Sequence, residues 1–247
     1  MAAARAEMNQ FLQNNLGVTN QYMRDGLQEA GFTSLASLER QSCETYAKRC
    51  CEVARKGPGN QAARKMVPVP VEEDMTKLVK WVRYCNITGR ALDINLATRD
   101  NLDNVQSFLD QCARDSPKTY EGLTRFTDTL NKRNWFDQIV GYLEVKVGSS
   151  GVPLVYVIRE GAAGPDQGFG LPSYEEELKA RGSHTSHFYR LDNKAVWVVL
   201  KYLTEGTTAW STIKRMTNNG RLAYMTLLDT FLGIGVRRTL MKKAKLC

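Results

Sequence analysis

Groups able to do chemistry are scarce in this chain. It has two histidines in 247 residues, His184 and His187. A Ser-His-Asp site would have to use one of them, and the nearness of Ser183 and Asp192 in sequence is no argument for a triad. The nucleophile elbow GxSxG and the phosphate loop GxxxxGK[ST] are both absent. Gly161, Gly164, Gly168 and Gly170 do not fall into GxGxxG, so a dinucleotide site has no support. The six cysteines, Cys43, Cys50, Cys51, Cys85, Cys112 and Cys247, include no CxxC pair. His184 and His187 would therefore have no thiolates at pair spacing to complete a zinc site. Two partly exposed histidines ahead of a helix are the plainer reading. Carboxylates are scattered over helix faces and first turns, and Asp115-Ser116-Pro117 lacks the glycine of an Asp-Ser/Thr-Gly protease loop. No enzyme, cofactor, metal or small-molecule substrate is expected.

Two further absences bear on location. No apolar run approaches the ~20 residues that span a bilayer, so no membrane partner is expected. The N-terminus reads without a secretory signal. Free thiols in a reducing compartment follow, cytoplasmic or nuclear.

Positive charge is present: the formal net charge is +8 and the pI about 9.2. It favours a polyanionic partner, although it speaks of solubility first. Lys48, Arg49, Arg55, Lys56, Arg64 and Lys65 flank a glycine-rich stretch, Lys56-Gly57-Pro58-Gly59-Asn60. Arg237, Arg238, Lys242, Lys243 and Lys245 make a basic tail. A solvated face is the plain reading of such runs, and contact with nucleic-acid phosphate the functional one. The tryptophans, Trp81, Trp135, Trp197 and Trp210, lie in or beside apolar stripes, as core or interface anchors do.

Helical periodicity dominates. Val196, Val199, Leu200 and Leu203 fall at i, i+3, i+4 and i+7 behind Asp192, which reads as the N-cap. Gly206 ends that segment, and Thr207 or Thr208 caps a short helix carrying Trp210 and Ile213. Tyr224, Leu227, Leu228 and Phe231 repeat the spacing after Asn219-Gly220, and Gly233 stops them. Upstream, Met8, Phe11 and Leu12 mark a first helix, Asn20 to Ala30 a second and Ser34 to Arg40 a third. Ser42 caps a fourth to about Lys56. Val67-Pro68-Val69-Pro70 reads as extended. Val71, Met75, Leu78, Val79, Val82 and Cys85 then form one stripe, with Trp81 beside it. Leu102, Val105, Phe108, Leu109 and Cys112 form another. Residues 119 to 146 read as one long or broken helix, interrupted at Asn131. Gly148-Ser149-Ser150-Gly151 reads as a flexible turn, and Val152 to Ile158 as the sole β-type run, an extended segment packed on helices. The expected fold is all-α, about ten helices with one short extended segment near 153–158. Residues 1–57 form a small N-terminal bundle. Residues 67–247 form a larger helical region that contains a glycine-rich loop at 161–170.

Three sequence blocks carry a resemblance. Asp192-Asn193 before an apolar helix, Gly206-Thr207-Thr208-Ala209-Trp210, and Gly220-Arg221-Leu222-Ala223-Tyr224 with Leu227 and Leu228 resemble the Gag-like region of copia-type retrotransposons of the kind found in microalgal genomes. Lys77-Leu78-Val79-Lys80-Trp81-Val82 and Pro153 to Glu160 resemble two further blocks, in the same order. The resemblance implies a structural protein that associates with itself and packages RNA. On that reading Arg237, Arg238, Lys242, Lys243 and Lys245 meet RNA or DNA phosphate, and the surfaces near Trp81 and Trp210 meet other copies. The zinc knuckle CxxCxxxxHxxxxC that such chains often carry is missing. The alternative expectation is a helical adaptor or nucleic-acid-binding module that does not assemble.

Overall fold

The structure, a computed structural model, describes residues 2–38, 69–159 and 173–243, with Ala2, His187 and residues 234–243 as backbone alone. Among them the fold is mostly helical, without a strand; an isolated bridge joins Val147 to Pro153. The fourth helix expected behind Ser42, the linker at 57–66 and the glycine-rich loop at 161–170 lie outside the described residues.

The chain divides into two compact units, Met1–Asn86 with Arg90–Phe108, and Ile87–Gly89 with Leu109–Cys247. The boundary between the units falls within a helix, and the helix after Val69 groups with the N-terminal ones.

In the first unit, α1 (Ala2–Asn14) buries Met8, Phe11 and Leu12. α2 (Gln21–Glu29) starts where Met23 N–H donates to the Asn20 side chain at 3.3 Å, satisfying one of the unpaired N–H groups of a first turn. α3 (Leu35–Leu38) buries both of its leucines. α4 (Val69–Thr88) opens with Pro70 in its first turn, where no N–H is needed, so the helix begins within the stretch that reads as extended. It buries the whole stripe from Val71 to Cys85 and Trp81 as well. A short 3₁₀ segment (Ile94–Leu96) leads into α5 (Arg99–Asp115), which Lys77 ties to α4 through Asp103 at 2.6 Å.

The second unit is built around a segment whose conformation differs from the expected one. Leu154–Ile158 winds as a second 3₁₀ segment instead of running extended. It touches α6 (Lys132–Val145), α7 (Tyr174–Arg181), α8 (His187–Thr204) and α10 (Gly220–Lys243). All five of its residues are buried. An element enclosed on every side needs apolar residues at every position, and that run imitates a buried strand.

α6 begins at Lys132, capped by Asn131, which accepts from Arg133 and Asn134 N–H. Residues 119–131 are not helical, because they close the end of α8: Phe126 N–H donates to Leu203 O at 2.8 Å and Arg125 Nε–H to Tyr202 O at 3.1 Å. Their polar groups satisfy carbonyls that a helix end leaves open. α9 (Thr208–Ile213) follows the left-handed turn at Gly206. α10 crosses α8 at Gly220, where a Cβ would stand 2.4 Å from the backbone nitrogen of Trp197. Gly233, at φ 73°, interrupts α10 where the sequence puts a stop.

Candidate functional site

Asp192 is no N-cap. α8 begins five residues earlier, at His187, where the Ser186 hydroxyl accepts from Tyr189 N–H at 3.1 Å. Asp192 lies inside the helix with no exposed surface, on the edge of the buried face that also holds Val196 and Val199. Its carboxyl gathers donors from two other segments. Ser149 N–H donates to Oδ1 at 2.6 Å, Tyr156 Oη–H to Oδ2 at 2.8 Å, and the Ser150 hydroxyl to the same Oδ2. The turn that delivers the two serines has Gly151 at φ 82° and Gly148 beneath the carboxyl, where a Cβ would fall 2.3 Å from Oδ1. The glycines of this turn hold it against one carboxyl rather than freeing it to move.

Burial raises the Asp192 pKa against the pull of its hydrogen bonds, which favour the carboxylate. Burial also raises the Tyr156 pKa, and the neighbouring Asp192 charge adds to it. Hydroxyl, phenol and carboxyl thus form a buried node, with both hydroxyls donating to the acid.

His184 stands on the other side of the same 3₁₀ segment. Its Nε2 carries a hydrogen to Tyr156 O, 2.9 Å away, since a carbonyl can only accept. Burial, helped by the charges of Arg159 and Arg221, lowers its pKa to about 4, so the ring is neutral near pH 7. Tyr189 lies along it at 4.9 Å between ring centres. Arg159 donates from Nε and Nη2 to Gly182 O at 2.9 and 2.7 Å, and Arg221 donates from Nη2 to Arg159 O at 3.2 Å. These bonds fasten α7, the 3₁₀ segment and α10 to each other.

The remaining chemical candidates are placed as follows. Burial pushes the Cys112 thiol up to about 11, with the Glu175 charge adding to the effect, so little thiolate exists at neutral pH. Cys85 is fully buried in α4. No cluster of three His, Cys, Asp or Glu among the described residues suits a metal ion. A cavity of about 180 Å³ in the first unit, bordered by Glu7, Met8, Leu35 and Ile94, is smaller than the ~300–1,000 Å³ of typical ligand pockets.

Trp81 is 2 % exposed, an internal side chain of α4. Trp210 is half-buried and lies 5.7 Å from the Trp197 ring at a 35° tilt. Arg237, Arg238, Lys242 and Lys243 belong to the stretch of α10 beyond Gly233, described as backbone, and Lys245 lies outside the described residues. No helix among the described residues is long and apolar enough to cross a membrane.

The surface feature that periodicity passed over is the outer side of α8. Leu191, Val198 and Tyr202 are 45 %, 43 % and 41 % exposed and, with the half-buried Ala195, stand at heptad spacing. Its signal was present as a second apolar row on a helix that already had one. At its C-terminal end Tyr120 stacks on Tyr202, ring centres 4.6 Å apart, and the Arg125 guanidinium lies 5.4 Å from the Tyr202 ring centre.

Comparison of the chain with protein-family models, curated proteins and solved structures gives no match.

Proposed function

We propose that this is a non-catalytic structural protein that associates with itself, of the Gag-like kind, and meets nucleic acid through phosphate without reading bases. The observation that carries the reading is the outer row of α8, where Leu191, Val198 and Tyr202 are exposed on a helix whose opposite side is core. Single exposed apolar residues are ordinary, but a heptad-spaced row is the form in which helices meet one another. The chemically able groups point the same way: Asp192, Ser150 and Tyr156 are consumed by one another, and His184 is held neutral on a carbonyl.

The test is light scattering behind size exclusion on nuclease-treated protein across a hundredfold range of concentration. Mass should rise with concentration. A constant monomer would replace this reading with the adaptor. The nucleic-acid half is tested with an unstructured RNA at several salt concentrations. Binding should weaken steeply with salt and be indifferent to sequence; retention at high salt would defeat the phosphate mode.

A further inference from the structure

A glycine in α6 is not explained by the fold. Gly141 stands in mid-helix with no positive φ, and a Cβ there would meet nothing within 4 Å. Neither backbone conformation nor internal packing asks for it. Glycine inside a helix destabilises it relative to alanine, so its place is best explained by a neighbour that approaches from outside. The exposed side of α6 also carries Asp137, four residues before Gly141. Glu144 and Val145 follow it by three and four, Val145 being 43 % exposed. Gly141 and Val145 make the small, apolar end of a row whose earlier members, the exposed Asn134 and Gln138, are polar, and Asp137 and Glu144 stand on the row beside it.

The outer side of α8 is its complement. Leu191, Ala195, Val198 and Tyr202 form the apolar row, and the exposed Lys194 and Lys201 stand beside it. Asp137 and Glu144 are seven residues apart, as are Lys194 and Lys201. Two helical turns separate each pair by about 10 Å, so both contacts can close together. In both helices the charged row lies on the same rotational side of the apolar row. Charged rows so placed meet when the helices run antiparallel. That direction sets Lys194 against Glu144 and Lys201 against Asp137, and the register then puts Val198 opposite Gly141.

We infer that the outer row of α8 in one copy docks antiparallel on the Gly141 side of α6 in a second copy. This rests on the self-association proposed above and names its surfaces. Pairing of α8 with α8 is disfavoured, because the same geometry brings Lys194 against the partner copy's Lys201. The contact joins unlike surfaces. Each added copy presents a fresh α8 row and a fresh α6 row, so assembly extends into a ring or a filament. Glu144 already bridges to Lys179 at 2.9 Å, and Lys201 to Glu205 at 3.5 Å. The incoming charges join these exposed pairs without stranding a buried one.

Two variants test the docking on the full chain, treated with nuclease. Val198→Asp blocks the α8 row. Gly141→Arg fills the α6 notch in open space and improves helix propensity, so its folding is secure; circular dichroism and thermal unfolding check both. Each variant alone should associate at least tenfold more weakly than the wild type. Mixed in equal amounts they should form a 1:1 dimer, because the Gly141→Arg copy still offers α8 and the Val198→Asp copy still offers α6. A wild type that assembles, with both variants assembling equally well, overturns the inference and leaves self-association standing. Loss of assembly in both variants without rescue on mixing also overturns it. Assembly abolished by nuclease assigns the contact to RNA and overturns it as well, and a monomeric wild type removes both readings.

Discussion

Among the described residues, each unit buries one charged side chain without an opposite charge, and the two do so in mirror fashion. In the first unit Arg24, 6 % exposed, donates to Asn9 Oδ1, Val18 O and Thr19 O at 2.7 Å each, and to the Gln21 side chain. In the second, Asp192 accepts from Ser149, Ser150 and Tyr156. One charge is wrapped in oxygens and the other in donors. Each welds a helix to the loop beside it. The difference lies in what happens under stress. Arginine has no neutral form to fall back on, whereas a carboxyl has. The cationic weld must therefore be kept whole at any pH, and the anionic one changes character as it titrates.

The largest expected effect comes from cutting the anionic weld. Asp192→Ala leaves the Ser150 and Tyr156 hydroxyls buried without their acceptor, each costing about 1–3 kcal/mol, together about 3–5 kcal/mol, while the partly exposed Ser149 N–H can turn to water. Denaturant unfolding measures it. A loss below about 1 kcal/mol would mean that water enters the node and that it is no weld. Arg24→Met comes next, at about 2–3 kcal/mol, because three of its four hydrogen bonds are partly open to solvent, which can replace the guanidinium. Hydrogen exchange should locate that loss in α1 and α2. Equal losses in the two variants would erase the contrast between the units. Tyr156→Phe sharpens the comparison with a single deleted donor. It should cost about 1–2 kcal/mol, since the carboxyl keeps its serine bonds.

Both welds escaped the sequence, for the same reason. Periodicity reports apolar faces, and it reported them well: Val196, Val199, Leu200 and Leu203 are all buried, as are Leu102, Val105 and Leu109. It is silent about a polar residue on a buried face. Asp192 precedes an apolar stripe, and that position suits an N-cap equally well. The true cap, Ser186, lies ahead of Phe188 to Leu191, half-exposed and exposed residues in which the buried stripe has not yet begun. Leu154–Ile158 misled differently, because a segment buried on every side loses the period that separates a strand from a 3₁₀ turn. Among the surface candidates, Trp81 carried the right residue type and lies inside the first unit. The outer row of α8 went unseen because the inner row of that helix had already explained its pattern.

The smallest effects are in pH, and they run in opposite directions. The folded Asp192 pKa is raised, so its contribution to stability is full below the unfolded carboxyl value, about 3.9, and is lost as pH rises through the folded value. His184 is lowered to about 4 from an ordinary value near 6.5. The unfolded chain binds its proton first on acidification, so that contribution is present above about pH 6.5 and is lost as pH falls through 4. Above about pH 4 the two slopes oppose each other for as long as Asp192 is titrating, and there the wild type should look flatter than either group alone would make it. Asp192→Asn keeps an acceptor for Ser149 N–H and removes the falling slope, so the variant should gain on the wild type as pH rises from 4. His184→Gln keeps a donor for Tyr156 O and removes the rising slope, so its deficit against the wild type should shrink as pH falls toward 4. Unfolding free energies at half-unit steps of pH, taken as differences from the wild type, read both. Matching slopes in the two variants would show that neither group titrates as its surroundings require.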